Sequence, residues 1–150
     1  MNQTVFDWIA FNARRRPAHP ALVDLASGRN FTYAEMHLRV ERAARFLSAR
    51  GIDKGSRVGV LARNSTDMLE LLFASKRVGA IMVPMNWRLA TPELQHVVND
   101  SEPALLFAGT EFSDVAPQLI DPTLIVTLSS DGAPASVPSR AESPCHSREE

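Results

Sequence analysis

The chain has 150 residues, of which 45% are hydrophobic, and a formal net charge of −1. This length suffices for one domain with a real core, and the near-zero charge gives no indication of a nucleic-acid partner or an anionic membrane. A single cysteine, Cys145, excludes an intrachain disulfide. No apolar stretch approaches the ~20 residues of a membrane span, and the N-terminus lacks the pattern of a signal peptide, so a cytoplasmic location is expected.

The first quarter of the sequence predicts a helix followed by a β-hairpin. Thr4 is expected to cap the helix, with Asp7 in its first turn. Residues 21–25 (ALVDL) and 30–32 (NFT) flank a Ser-Gly turn signal and predict the two strands of the hairpin.

A second helix is predicted to begin within FTYAEM (31–36). Thr32 and Glu35 stand three residues apart, which is the spacing of a capping box. Two pairs of opposite charge, Glu35 with Arg39 and Glu41 with Arg45, lie at i,i+4 on this helix.

Four apolar strands alternate with helical patterns in the rest of the chain: RVGVLA (57–62), AIMVP (80–84), ALLFAG (104–109) and TLIVTL (123–128). Their continuous apolar character is typical of a parallel sheet covered on both faces. The residues therefore predict an α/β fold, with a doubly wound parallel sheet layer preceded by a helix and a β-hairpin. The helix at 65–78, capped by Asn64 or Ser65, is apolar nearly all round and is expected to be buried on more than one side.

The pattern changes after Leu128. Residues 129–150 are dominated by Ser, Pro, Ala and Glu and have no apolar periodicity. Such a segment cannot bury enough surface to offset its ordering entropy, so disorder is expected. Out-of-frame translation is an alternative origin for the same composition.

Three segments together carry a resemblance to a known family: FTYAEM (31–36), KRVGAIMVPMN (76–86) and the following NWRL…EL…VNDSEP pattern. In this order and at this spacing, the chain resembles the beginning of an adenylate-forming enzyme, of the AMP-dependent acyl-CoA synthetase, luciferase and peptide-synthetase superfamily. The last pattern is most similar to the acyl-CoA ligase branch. The resemblance implies that residues 1–128 are an incomplete N-terminal portion of the large domain of that fold.

The resemblance also implies a reaction, in which a carboxylic acid, ATP and CoA give acyl-CoA, AMP and pyrophosphate, with Mg²⁺ as a further cofactor. Family members hold the ATP phosphates on a Ser/Thr/Gly-rich loop that ends in Pro-Lys-Gly. The nearest segment here, TLSSDGAPASVPS (127–139), has one glycine and no lysine. The family's catalytic lysine has no counterpart in these residues. The chain alone is therefore predicted to be inactive, and no catalytic, cofactor-binding or metal residue is assigned. A complementing chain that carries the missing motifs is one partner this suggests; the alternative is a non-catalytic α/β binding or interaction module.

Asn86, Trp87 and Arg88 follow the strand at 80–84 and raise the question of a binding site. Pro84 removes a hydrogen-bond donor where the ladder ends, and Asn86 is suited to a turn. Trp87 and Arg88 are expected to pack and pair at the strand exit; a ligand contact is the alternative.

Other reactive side chains have simpler interpretations. The four histidines, at positions 19, 37, 96 and 146, have no metal-type spacing, and a surface face accounts for His96 with Asp100. Ser65-Thr66-Asp67 is interpreted as a helix cap. Glu93 and Glu102 are not expected to form a catalytic pair, nor Cys145 and His146 a catalytic dyad.

Overall fold

The structure is a computed structural model that describes residues 6–25 and 27–128. Thr4, Cys145 and His146 lie outside the described residues, as does the segment 129–150. The interpretation of that segment as a disordered or out-of-frame tail therefore stays a prediction.

The chain opens with helix α1 (Trp8–Arg15) and the antiparallel hairpin β1 (Pro20–Val23) and β2 (Asn30–Thr32). The Asp7 carboxylate accepts a hydrogen bond of 2.9 Å from the backbone N–H of Ala10. Asp7 is therefore the N-cap of α1 and not a residue of its first turn. The prediction that placed Asp7 inside the helix was wrong. An aspartate at this position satisfies an amide that has no partner within the helix.

Helix α2 (Tyr33–Ala49) begins as the sequence predicts. The Glu35 carboxylate accepts from the Thr32 N–H at 2.8 Å, and the Thr32 hydroxyl accepts from the Glu35 N–H at 3.3 Å. The capping box is thus confirmed, and so is the exposed ion pair between Glu41 and Arg45.

Four parallel strands form one sheet in the order β4-β3-β5-β6. The strands are β3 (Arg57–Leu61), β4 (Ile81–Pro84), β5 (Leu105–Gly109) and β6 (Ile125–Leu128). They are joined by α3 (Thr66–Val78), α4 (Thr91–Ser101), the short α5 (Ala116–Leu119) and 3₁₀ turns at Thr110–Phe112 and Pro122–Leu124. This order confirms the doubly wound parallel sheet preceded by a helix and a hairpin.

Both faces of the sheet carry a hydrophobic core. Successive side chains of β3 and β5 alternate between the two faces. Val58, Val60 and Phe107 pack with α1, α2 and α3, whereas Leu61 and Leu106 pack with α4 and α5. The strands are apolar throughout because each face has its own helical cover.

Helix α3 differs in part from its predicted environment. Ser65 caps it, as expected, through a hydrogen bond from the Met68 N–H. Its leucines Leu69 and Leu72 are 37% and 42% exposed, while Asp67 and Glu70 are buried. The helix is buried on more than one side, against α2 and against the sheet, as predicted, but the apolar face with Leu69 and Leu72 is open to solvent.

Among the described residues, no helix combines the length and the hydropathy that a membrane crossing requires.

Candidate functional site

The candidate site lies at the carboxyl edge of the parallel sheet. The chain runs from β3 outward to β4, then returns past β3 to β5, so the winding direction changes between β3 and β5. In open α/β sheets, ligands bind outside the carboxyl ends of the strands at this switch point. The residues that follow β3, β4 and β5 are therefore the ones whose chemistry matters.

The exit from β4 is built by a tight turn. The Met85 N–H donates to the Val60 carbonyl at 2.8 Å, which ties the end of β4 to β3. The Asn86 side-chain oxygen accepts from the Arg88 N–H at 3.1 Å, and the Asn86 carbonyl accepts from the Leu89 N–H at 3.1 Å. This confirms the predicted turn role of Asn86. These turn hydrogen bonds also fix the backbone position of Trp87, which lies between Asn86 and Arg88 in the chain.

Two guanidinium groups lie against the ring of Trp87. The Arg88 guanidinium carbon is 4.4 Å from the centre of the indole ring, and that of Arg63 is 4.7 Å away. The indole is half-buried against the core that α4 covers. Packing and pairing at the strand exit are thus confirmed. Each cation–π contact at such an exposed position contributes about 0.5–1 kcal/mol.

Arg63 and Glu111 connect the two sides of the switch point. Arg63 follows β3, Glu111 follows β5, and Arg63 Nε lies 3.8 Å from Glu111 Oε1. Both side chains are well exposed, so this ion pair stabilises the fold little. Its importance is positional, because it places the Glu111 carboxylate beside the Arg63 guanidinium at the carboxyl edge of the sheet. Sequence reasoning missed both residues, although Arg63 directly follows a predicted strand and Glu111 lies two residues after the end of another.

We name Arg63, Asn86, Trp87, Arg88 and Glu111 the edge cluster. It offers two positive charges, one negative charge and an aromatic surface, and none of its side chains is a nucleophile held by a base. Guanidinium groups suit phosphate and carboxylate ligands. The two arginines of the edge cluster are therefore of the residue type that suits an anionic ligand.

A second polar cluster lies beneath α3. The Asp67 carboxylate accepts two hydrogen bonds, of 3.2 and 3.1 Å, from the Arg29 guanidinium at the hairpin. Arg39 of α2 lies 3.7 Å from Asp67 and also pairs with Glu70. This cluster joins three elements, so Asp67 is a buried structural anchor and more than the cap residue that the sequence suggested.

Burial raises the pKa of the Glu70 carboxyl, and hydrogen bonding and attraction from Arg39 offset only part of that rise. A shifted carboxyl in a cleft is a common feature of catalytic sites. Glu70 is instead enclosed by α2 and α3 and held by Arg39. Its shift therefore reflects burial within the scaffold. Arg29, Arg39 and Glu70 were not identified from the sequence as members of a cluster.

The remaining candidates stay apart. His37 Nδ1 lies 2.9 Å from the Arg77 guanidinium, and His19 Nδ1 lies 3.1 Å from the Pro20 carbonyl. His96 is exposed on α4. The Glu93 carboxylate accepts from the Ala90 N–H at 2.8 Å, which caps α4, and Glu102 pairs with Arg57 at 3.3 Å.

The described residues include no group of three or more His, Cys, Asp or Glu side chains that could hold a metal ion.

The parallel sheet, its helical layers and the ordered motifs define an α/β protein of the adenylate-forming class. The family model for AMP-binding enzymes matches residues 9–149. The chain belongs to this family, and its relatives and structural neighbours are acid and acyl-CoA ligases of the adenylate-forming superfamily.

Two curated relatives illustrate the match. The chain is 38% identical over 128 residues to a fatty acid–[acyl-carrier-protein] ligase of Streptomyces coeruleorubidus, covering 84% of this chain and 24% of that protein. It is 38% identical over 118 residues to a feruloyl-CoA synthase of an Amycolatopsis species, covering 79% of this chain and 24% of the relative. The chain thus spans about a quarter of the length of these relatives.

Solved structures confirm the fold. A protein described as a long-chain-fatty-acid CoA ligase of Rhodopseudomonas palustris superposes with a TM-score of 0.74 at 31% identity, over 84% of this chain and 33% of the other. The N-terminal domain of FACL13 from Mycobacterium tuberculosis gives a TM-score of 0.72 at 29% identity, over 83% of this chain and 33% of that domain.

Proposed function

We propose that this chain is the N-terminal portion of an AMP-forming acid–thiol ligase, and that alone it is catalytically inactive. In the parent reaction, the carboxylate of an acid attacks the α-phosphorus of ATP, forming an acyl-adenylate and releasing pyrophosphate. The thiol of CoA then attacks the acyl carbon, forming the thioester and releasing AMP. An enzyme in the cytoplasm would have access to both ATP and CoA.

The observation that carries this proposal is the ordered match to a quarter of each relative combined with the chemistry of the edge cluster. The matched part builds a sheet and its helical cover, and its ligand edge presents arginines and an indole. Such an edge can hold an anionic cosubstrate. It lacks the Pro-Lys-Gly phosphate loop and the catalytic lysine that the reaction needs.

A paired exchange experiment tests the proposal. The chain alone should give no ATP–pyrophosphate exchange above background with a panel of fatty and aromatic acids. A covalent chimera should regain exchange; it joins residues 1–128 of this chain to the part of the Rhodopseudomonas palustris ligase that follows the matched region. Turnover by the chain alone would contradict inactivity, and a folded chimera without exchange would contradict the assigned function.

The edge cluster also favours a second candidate function, a non-catalytic module that binds an anion. Here the chain alone would bind pyrophosphate, ATP or CoA, and Arg88→Ala would weaken that binding roughly tenfold by removing one of the two cations on Trp87. Arg45→Ala is a matched control, since Arg45 is an exposed arginine that pairs with Glu41 on the surface of α2. Isothermal titration with each ligand tests this candidate: no binding by the isolated chain, or equal binding by the two variants, would contradict it.

A further inference from the structure

Arg77 links helix α3 to both neighbouring helices. Its Nε atom donates a hydrogen bond of 2.7 Å to the carboxylate of Asp7, the N-cap of α1, and a terminal guanidinium nitrogen lies 2.9 Å from Nδ1 of His37 on α2. The Arg77 side chain is 19% exposed and that of Asp7 is 31% exposed. We call Asp7, His37 and Arg77 the three-helix junction. Because its contacts are partly shielded from water, a change of charge here matters more than one on the open surface.

The contact with Arg77 determines where His37 carries its proton. A guanidinium group has donors only, so His37 Nδ1 has to accept the hydrogen bond with a free lone pair. His37 is therefore the neutral tautomer with its proton on Nε2. A second proton would remove the acceptor and leave two cations 2.9 Å apart.

Asp7 supplies the negative charge of the junction. Burial raises the pKa of the Asp7 carboxyl, but hydrogen bonds from the Ala10 N–H and from Arg77 lower it more, so the pKa lies below its ordinary value of 3.8. Histidine is the side chain whose charge normally changes between about pH 5 and 8. Across that range Asp7 stays ionised, so protonation of His37 would place two cations around one carboxylate.

The other titratable groups of the surrounding elements give an added proton little compensation. The carboxylates among them hold other partners: Glu35 with Thr32, Glu41 with Arg45, Asp67 with Arg29, Glu70 with Arg39 and, on the hairpin, Asp24 with Ser27. The remaining groups are basic or phenolic: Lys76 in the cleft beside Arg77, Arg42 on α2, Arg14 and Arg15 in the last turn of α1, Tyr33 and His19. Protonation of His37 therefore creates an excess of positive charge at the junction.

Helix α1 depends on the junction for much of its attachment. Of the described residues of α1, Ile9 alone is buried. Phe6 and Trp8, on either side of Asp7 in the chain, are 51% and 57% exposed. The start of this helix is therefore held by limited apolar burial together with the hydrogen bond from Arg77.

We propose that the three-helix junction is a pH-sensitive clip, which holds the start of α1 against α2 and α3 while His37 is neutral and loosens it when His37 gains a proton. The proton removes the acceptor for Arg77 and sets a second cation beside the guanidinium. Movement of Arg77 away from His37 also disturbs its hydrogen bond to Asp7, so the start of α1 loosens with it. The stabilisation by the clip is thus present at neutral pH and lost on acidification. This inference does not depend on the proposed function.

Two measurements on the 150-residue chain test the clip between about pH 8 and about pH 5. One is the urea midpoint by circular dichroism, which needs no tryptophan substitution. The other is the emission of Trp8 in a Trp87→Phe background, where it is the single tryptophan of the chain. The Trp8 ring meets the Phe6 ring edge to face, with the centres 5.0 Å apart, so its emission reports on the start of α1.

The variants separate His37 from the other groups that titrate. His37→Asn places a neutral acceptor near the position of Nδ1, and Arg77→Gln removes the cation that a protonated His37 would meet. His96→Asn is the matched control, because His96 is exposed on α4. Glu70 contributes to the pH dependence with the opposite sign, so each variant is compared with the wild-type chain at the same pH.

Relative to His37→Asn, the urea midpoint of the wild-type chain should fall by about 0.5 M on acidification over this range. The Trp8 emission should change over the same interval. The His96→Asn control should keep the fall, and Arg77→Gln should lack it. Circular dichroism at about pH 8 establishes that each variant is folded, and His37→Gln replaces His37→Asn if the latter is not.

Four results would overturn the proposal. The first is a wild-type midpoint that follows that of His37→Asn at every pH, and the second is a fall that disappears in His96→Asn. The third is a wild-type midpoint that rises on acidification relative to His37→Asn, which would show that Asp7 binds the protonated His37. The fourth needs no variant: a ¹⁵N NMR spectrum of the imidazole with the proton on His37 Nδ1 at about pH 8 would contradict the tautomer on which the clip depends.

Discussion

Helices α3 and α4 both follow a strand of the same sheet, yet they use their faces in opposite ways. In α4, Leu94 and Val98 are buried, and the exposed positions are polar. In α3, Asp67 and Glu70 are buried beside Leu71, and Leu69 and Leu72 are exposed. Helix α4 is an ordinary amphipathic helix, whereas α3 is held to its sheet partly by ion pairs and keeps an apolar face for something else.

The comparison teaches that a count of apolar residues does not give the orientation of a helix. The apolar pattern of α3 runs nearly all round, so it allows several orientations. Arginines from the hairpin and from α2 select one of them. The orientation is thus set by residues outside the helix.

The largest effect is expected at the buried ion pairs. Asp67→Ala leaves Arg29 and Arg39 facing a site without a carboxylate, and should lower the free energy of unfolding by about 3 kcal/mol. Urea unfolding followed by circular dichroism measures this. Glu41→Ala, which breaks the exposed pair with Arg45, should cost at most about 0.5 kcal/mol. Equal losses in the two variants would show that α3 is not anchored by charge.

Truncation of a leucine should lower the free energy of unfolding by different amounts in the two helices, and this difference should be almost as large. Leu94→Ala in α4 opens a cavity at a side chain that is 2% exposed, and should cost about 3 kcal/mol. Leu72→Ala in α3 should cost under about 1 kcal/mol in the isolated chain, because much of that side chain is already in water. The same unfolding experiment applies. A large loss at Leu72 would mean that its side chain is covered in the isolated chain.

The buried acid of α3 should also give a distinctive pH dependence. The folded-state pKa of Glu70 is raised by burial from its ordinary value of 4.5. The stability that its protonated form contributes is therefore present below about pH 4.5 and lost as the pH rises through the folded pKa. Glu70→Gln should remove this decline, as urea midpoints between pH 4 and about 7 would reveal.

The pKa of Glu35 is shifted in the opposite direction, so its effect on the pH dependence of stability should have the opposite sign. Hydrogen bonds from the Thr32 backbone and hydroxyl lower the pKa of the Glu35 carboxyl. Its contribution is present above the ordinary pKa and lost as the pH falls through the folded value. Glu35→Gln should therefore weaken the acid-side loss of stability. Parallel pH slopes for the Glu70 and Glu35 variants would contradict both assignments.

The smallest effects are expected at the ends of the two helices. Helix α3 ends at Gly79 with φ of +78°, whereas α4 ends at Glu102 with φ of +41°. Gly79→Ala should cost about 1 kcal/mol, because an added Cβ is strained there and would lie 3.2 Å from Lys54 Cβ. Glu102→Gly should be neutral or stabilise slightly, since its pair with Arg57 is exposed. Thermal midpoints are sensitive enough to order the two variants.

Local signals in the sequence predicted local structure well. The capping box of Thr32 and Glu35 depends on residues three apart, and the turn at Asn86 depends on residues two apart. The continuous apolar strands predicted a covered parallel sheet, because only burial on both faces favours that composition. The family and the order of its motifs followed from the same segments.

Contacts between distant residues were beyond such reasoning. Arg29 and Asp67 are separated by 38 positions, and their pairing exists only once the hairpin lies against α3. Arg63 and Glu111 likewise meet only because β3 and β5 are neighbours in the sheet. The start of α1 was misplaced for a local reason, since Thr4 and Asp7 are both suitable cap residues and the pattern alone did not discriminate between them.

The contact of Trp87 with two arginines has a practical consequence. The chain has only two tryptophans, and the other, Trp8, is exposed at the start of α1. A Trp8→Phe variant would leave one indole whose fluorescence reports on the ligand edge alone. An anion that draws Arg63 or Arg88 away from the ring would alter that emission. Trp87 fluorescence would then report anion binding at the carboxyl edge of the sheet without an added label.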